Sequence, residues 1–546
     1  MAGMARAVQR AASRTPVPPS RPIAPSARAI SLSAPRMPLC TRGLSTGAEH
    51  IEHAVGAAAD LAAENERLKL EVGALRAQAV QAAAAGATFA RRSGAVALPG
   101  PAIKPGAEHG ARRRVPEPPG GEAGYSMFVG APRSRFTPEL AFWDPSADEP
   151  LPSPMPCFRL IDDVGQVVPG AEAWLPDLDR ALCLRMMGAM LRVSEFDKVF
   201  NQAQRQGRIA FYLTSRGEEA CSIGSAAALS DSDWLLPQYR ELGSALWRGM
   251  SFTEIANQAT ANALDPARGR QLPLHFGSRQ KRIVYVKSTL GTQLPHAAGI
   301  GYRAKMMKGK DQVALTYFGE GCASEGDVPS AFNIAAVHGC PTIFFCRNNG
   351  YAISTNAKDQ YVSDGVAPRG YAYGLPALRV DGNDVLAVYA ATAAARAIAS
   401  GTPAPGTLRG GAARGVTRPA ILEAMTYRVG AHSTSDDDSK YRTEASPDSG
   451  WDSERSYWEA RSPIVRFGRF LHAKGWFSVG NEEDIRRTAR REAIDALNTA
   501  ERVGRPPSEF MFTDVWDQPP PALRRQQHEL QQHLARHAEH YPGFPS

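Results

Sequence analysis

The stretch "VALTYFGEGCASEGDVPSAFNIAAV", residues 313–337, changes character twice within 25 residues. Val313–Phe318 is apolar and rich in strand formers, which predicts a buried β-strand. Ser324-Glu325-Gly326-Asp327 has the Ser-x-x-acid form of a capping box, and Ala331–Val337 continues with helical character. Strand, glycine turn and helix N-terminus together make a phosphate site, because free N–H groups and the helix dipole favour an anion. Glu320, between Gly319 and Gly321, would repel that anion. It fits there if a cation lies between carboxylate and phosphate.

The next predicted strand lies in "TIFFCRNNGYAIST", residues 342–355. In a parallel sheet, ligands gather at the carboxyl ends of strands, and both Glu320 and the Asn348-Asn349 pair sit at such ends. A carboxylate and an amide oxygen are hard ligands suited to Mg²⁺ that also holds phosphate oxygens. Gly350-Tyr351 then turns the chain sharply enough to offer a backbone carbonyl as a third ligand. Alone, Asn-Asn-Gly reads as a tight turn; with Glu320 lying 29 residues before Asn349, the metal reading is favoured. The glycines form G-x-G-x-x-x-x-G with no following G-K-[ST], so dinucleotide and P-loop readings are weak.

Around this centre the pattern alternates. Strands are predicted at 233–237, 313–318, 342–347, 377–381 and 420–427, and helices at 217–229, 251–263, 296–308, 325–338 and 384–400. Such alternation argues for an α/β fold, a parallel sheet with helices on both faces. The compact domain is expected over 150–546, with a helical tail from about 481. A Gly/Pro/Arg-rich surface insertion is expected at 401–418.

Of the net charge of +8, seven arginines in residues 1–48 supply +7, and no acid or lysine opposes them. The remainder is close to neutral, which does not support nucleic-acid binding. No run approaches the ~18 apolar residues of a membrane span. The Arg/Ser/Ala-rich, acid-free residues 1–48 have the pattern of a mitochondrial transit peptide, a disordered basic tail being the plainer alternative. Residues 49–84 suit an accessory amphipathic helix, and 85–149 a Gly/Pro/Arg-rich linker and extended arm. The seven cysteines form no C-x-x-C pair. They are expected as free thiols in a reducing compartment such as the mitochondrial matrix.

The G-x-G turn followed by N-N resembles the thiamine diphosphate motif. Together with "QYRELG" (238–243), "KSTLGTQLPHAAG" (287–299), "LRVDGNDV" (378–385), "EAMTYRVGAHSTSDDDSKYR" (423–442) and "EHYP" (539–542), the chain from about 150 resembles the alpha subunits of mitochondrial branched-chain 2-oxo acid dehydrogenases. That resemblance implies a thiamine-diphosphate-binding fold, with Mg²⁺ held by Glu320, Asn349 and the Tyr351 carbonyl. Tyr239, Arg240 and Arg347 would reach the diphosphate, Gly321 and Cys322 would approach it through backbone, and Ser288 and Leu290 would line the cofactor. His432 would face the reactive end as the catalytic imidazole, and Ser433 would be the site of inhibitory phosphorylation. The family's second phosphorylated serine corresponds to Thr443. Thr289, Thr292 and Gln293 match the family's K⁺ loop, but Lys287 stands where the family has a serine ligand.

The resemblance further implies an α₂β₂ enzyme, a 3-methyl-2-oxobutanoate dehydrogenase. It would act with a beta subunit, pass its acyl group to the lipoyl arm of a dihydrolipoyl acyltransferase core, and answer to a kinase and a phosphatase. The alternatives are a pyruvate dehydrogenase alpha subunit and a non-catalytic regulatory relative.

Overall fold

The computed structural model describes residues 125–130, 134–145, 151–177, 179–307, 311–404, 406–408, 415–442, 453–513 and 515–541. The segments expected as transit peptide (1–48) and accessory helix (49–84), most of the linker from 85, and Thr443 lie outside them. Seven strands form one sheet: β1 (Phe136–Thr137), β2 (Cys157–Phe158), β3 (Trp234–Leu236), β4 (Ala314–Gly319), β5 (Thr342–Asn348), β8 (Ala377–Asp381) and β9 (Ala420–Met425). Their order is β1-β2-β8-β9-β5-β4-β3, and every pairing is parallel. A short antiparallel pair, β6 (Tyr351–Ala352) and β7 (Thr355–Asn356), follows β5.

Strands buried on both faces read as continuous apolar runs, and "ALTYFG", "TIFFCRN" and "AILEAM" do so. Because side chains alternate along a strand, the same runs feed two cores. Tyr317, Phe345 and Leu422 join the helices Arg180–Arg205, Glu219–Ala227 and Val385–Ser400 on one face. Phe318, Phe344 and Ile421 meet Gln293–Met306 and Asp327–His338 on the other. The expected α/β architecture, with helices on both faces, is the one observed.

The structure departs from expectation in three places. The Ser324 capping box does not form: Cys322–Ser324 is a 3₁₀ turn, and the helix starts at Asp327 with no side-chain cap. The Ser324 hydroxyl is engaged instead by the Gln360 amide at 2.8 Å. The arm expected over 85–149 contributes β1 to the sheet, so the compact part starts before 150. Two-residue strands carry too little periodicity to be found by pattern. Finally, the insertion at 401–418 is not wholly superficial. The Thr407 carbonyl accepts from Phe142 N–H at 2.8 Å, and Leu408 is buried in the larger core.

Candidate cofactor site

β4 and β5 end side by side, Gly319 opposite Arg347, so Glu320 and Asn349 emerge at the same carboxyl edge. Asn349 N–H donates to the Glu320 carboxylate at 3.3 Å. The turn beyond it needs glycine: Gly350 has φ +82°, and a Cβ there would lie 2.6 Å from Val129 of the arm. At Gly321 a Cβ would meet Ala352 at 2.5 Å, whereas at Gly319 it would find nothing nearer than 3.9 Å. The room beside Gly319 is therefore cavity. Every residue assigned above to the cofactor or to magnesium lines this one cavity of about 450 Å³. Thr289, Thr292 and Gln293 do not line it, but Lys287 does. Thr292 donates its hydroxyl proton to the Thr289 carbonyl (3.0 Å) and Gln293 its amide proton to the Tyr317 carbonyl (2.9 Å).

The charges in the cavity are arranged unequally. Glu320 is 1% exposed, and its burial pushes the carboxyl up to about 7. Among the described residues it has no ion pair. Arg240 is 3% exposed and spends its guanidinium on backbone, donating to the Thr214 and His432 carbonyls at 2.6 Å each; burial lowers its affinity for a proton. Arg347, by contrast, is matched by two carboxylates, Glu218 at 2.6 Å and Glu241 closer still. Burial alone would raise Glu218, but Arg347 and then Arg240 outweigh it and hold its carboxyl below the ordinary value.

Glu218 also accepts from the Asn349 side-chain amide at 2.6 Å, which turns the amide oxygen to the other side, where Tyr351 N–H reaches it at 3.1 Å. Arg428, 1% exposed, donates to the Ile353 carbonyl at 2.8 Å and approaches the Tyr351 carbonyl at 3.5 Å. Asn348 is structural: its amide donates to Glu423 at 2.8 Å and to the Tyr361 hydroxyl at 3.0 Å.

His432 lies edge-on to Tyr239, ring centres 6.3 Å apart. Burial, with Arg240 and Arg428 adding to it, brings its imidazole down to about 3, so the ring is neutral at physiological pH. Its loop is closed by Asp436, which accepts from His432 N–H at 2.7 Å and from the Tyr441 hydroxyl at 2.5 Å. Ser433 lies within that closed turn and accepts from Ser435 N–H at 3.3 Å. Cys322 is a neutral thiol, its pKa pushed to about 12 by burial. The six described cysteines are free and buried.

Sequence reasoning missed Glu218, His275 and Arg428. Glu218 stands in "RGEEAC" at the start of a predicted helix, where acids are ordinarily explained by the helix dipole. Its pairing with Arg347, 129 residues away, leaves no local signal.

A cation-seeking carboxylate, a guanidinium without a carboxylate partner and a glycine-cleared space share one cavity. That donor set fits a metal-bound diphosphate at the carboxyl edge of a parallel sheet. The chain belongs to the dehydrogenase E1 component family, whose model matches residues 186–509. It is 42% identical over 409 residues to the 2-oxoisovalerate dehydrogenase subunit alpha 2 of Arabidopsis thaliana, covering 75% of this chain and 80% of that one. It is 41% identical over 417 residues to the alpha subunit of Caenorhabditis elegans, covering 76% and 90%. With the Homo sapiens alpha subunit it shares 40% over 417 residues, covering 76% and 87%. All three relatives are named as mitochondrial proteins, and their names favour the branched-chain reading over the pyruvate one.

Proposed function

We propose that the chain is the alpha subunit of an α₂β₂ 2-oxo acid dehydrogenase of the mitochondrial matrix. It oxidatively decarboxylates branched-chain 2-oxo acids, 3-methyl-2-oxobutanoate among them, and hands the acyl group to the lipoyl arm of an acyltransferase core. The observation that carries this reading is the buried, unpaired Glu320 in one cavity with Arg240, Asn349 and His432. Thiamine diphosphate, when bound, supplies the carbanion chemistry of decarboxylation. Glu320, the Asn349 side-chain oxygen and the Tyr351 carbonyl would hold its Mg²⁺. Arg240 would meet the diphosphate as a fixed cation, with Arg347, already matched by Glu218 and Glu241, as a second contact. His432, held neutral with its imidazole at about 3, is a weak base and would serve at the reacting end by orienting the substrate carboxylate. A beta subunit completes the site.

Lys287 stands in for K⁺ in this reading, its ammonium supplying the charge that the family's ion supplies. Phosphorylation of Ser433 by a regulatory kinase, reversed by a phosphatase, would add about −1.5 to −2 charge. That charge would lie beside Asp436, whose hydrogen bonds close the loop, and repulsion would open it. The test is to co-express residues from about 48 onward with the cognate beta subunit and measure Mg²⁺- and thiamine-diphosphate-dependent turnover. Preference for 3-methyl-2-oxobutanoate supports the reading. Preference for pyruvate moves the chain to the sister subfamily, and assembly without turnover makes it a regulatory relative.

A further inference from the structure

The cofactor assignment leaves unused a cluster near the C-terminus. In "HLARHAEH", residues 533–540, His533, His537, Glu539 and His540 follow one another closely. His533 and His537 are one helical turn apart and so share a face; their ring centres lie 4.7 Å from each other. The helix Pro521–Arg536 ends between them. His537 leaves helical geometry at φ −125°, ψ 32°, and the 3₁₀ turn Ala538–His540 folds the next residues back. His540 N–H closes that turn by donating to the His537 carbonyl at 2.9 Å. His533 Nε2 lies 2.9 Å from the Tyr541 hydroxyl, which ties the far side of the turn to the helix.

The fold-back gathers His537, Glu539 and His540, with one ligand atom of each within 4.8 Å of the other two. Around a tetrahedral Zn²⁺ with bonds of about 2.0–2.1 Å, ligand atoms lie about 3.3 Å apart. The three therefore need to close by no more than about 1.5 Å, a shift within reach of side-chain torsions. Glu539 and His540 already stand 3.5 Å apart, and with side chains 66% and 72% exposed no packing holds them in place. Two imidazoles and a carboxylate suit Zn²⁺ and its transition-metal neighbours, whereas Mg²⁺ and Ca²⁺ take oxygen ligands. The cluster follows the last helical turn, where the helix dipole favours a cation. Arg536, in that turn, donates to the Gln532 carbonyl at 3.3 Å. The helix itself buries none of its residues, although helices in proteins draw most of their stability from packing.

We propose that His537, Glu539 and His540 form a site for a divalent transition metal of the Zn²⁺ class, with solvent in the fourth position. The metal clips the 538–540 turn to the end of the helix. None of the three ligands lines the cavity, so the proposal stands apart from the cofactor assignment.

The experiment titrates Zn²⁺ into the full chain assembled with its beta subunit, prepared without a histidine tag and with Mg²⁺ and thiamine diphosphate in excess. Calorimetry gives affinity and stoichiometry, and hydrogen exchange follows the amides of 521–541. Wild type should bind one Zn²⁺ per alpha chain that Mg²⁺ does not displace, and exchange across 521–541 should slow. Co²⁺ in its place should show a visible spectrum of nitrogen and oxygen coordination. His537→Ala and His540→Ala should each weaken Zn²⁺ by more than about 10-fold, the least that an outer-sphere partner of a metal costs. His533→Ala, outside the ligand set, should weaken it less than either. Unchanged melting temperatures without metal would show that these variants still fold. A wild-type protein that takes up no Zn²⁺ overturns the proposal. So does Zn²⁺ affinity that ignores His537→Ala and His540→Ala, because the metal then lies elsewhere. Binding that leaves exchange across 521–541 unchanged overturns the clip.

Discussion

The guanidinium of Arg240 donates a hydrogen bond to the main-chain carbonyl of His432 at 2.6 Å. One side chain thereby connects the cavity to the loop that carries Ser433. The same charge helps burial keep the His432 imidazole unprotonated. Anchoring the loop and setting the protonation of its histidine are two effects of a single buried cation.

Replacing that fork with one ammonium, in Arg240→Lys, should therefore produce two coupled losses. Thiamine diphosphate should bind about 10-fold or more weakly, as expected for a charge-assisted hydrogen bond. Limited proteolysis in the loop around 430–442 should accelerate in the same variant. Weaker binding with the loop still protected would separate the two roles.

Glu320→Gln should abolish the Mg²⁺-dependence of cofactor binding. The loss should exceed the roughly 10- to 100-fold typical of outer-sphere partners of a metal. Without ligand the variant should be no less thermostable than wild type at pH 8, because a buried charge that lacks an ion pair has been removed. Calorimetric binding and thermal melts on one preparation check both halves.

Glu218→Gln removes one of the two carboxylates that neutralise Arg347. The unliganded protein should lose about 1–3 kcal/mol, the cost of weakening a buried charged hydrogen bond. Mg²⁺ and thiamine diphosphate should narrow that deficit, since a diphosphate offers Arg347 a new partner. Melts with and without ligand would show the gap closing, and an unchanged gap would place Arg347 outside the ligand's reach.

Glu219, which does not line the cavity, gives a separate pH signature. It is 2% exposed, and burial raises its carboxyl from 4.5 to about 8. The folded state thus holds a proton that the unfolded chain releases above about 4.3. Its contribution to stability is full below that value and is lost as pH rises toward 8. Glu219→Gln should flatten the decline in melting temperature between pH 5 and 8. Parallel pH profiles for the two proteins would show that the carboxyl is not titrating as described.

On the role proposed for Lys287, Lys287→Ser should create a dependence on K⁺, and the wild-type chain should show none. Thiamine diphosphate affinity measured in K⁺ and in a K⁺-free buffer distinguishes the two proteins. A wild-type affinity that collapses without K⁺ removes the role proposed for the lysine.

The parts of this molecule legible in sequence are those where neighbours in sequence are neighbours in function. β4, its glycines and Glu320 form one unbroken phrase, and the Asn349 turn repeats the logic on the adjacent strand. The β8 prediction at 377–381 coincides with the strand observed. Legibility ended where partners are remote. Glu218 meets Arg347 across 129 residues, and His275 is recognisable only through the Ser288 hydroxyl it faces. Ser324 misled for a related reason: a capping pattern describes an opportunity, and the Gln360 amide took the hydroxyl first.

The pairing of β2 with β8 has a consequence in time. Arg159, just past β2, bonds to Asp381, which lies 222 residues further along the chain. At ordinary synthesis rates that interval lasts about 10–45 s. Of the early strands, β2, which carries Cys157, thus waits longest for its inner neighbour. Until β8 has been made, β2 has only the two-residue strand β1 to pair with.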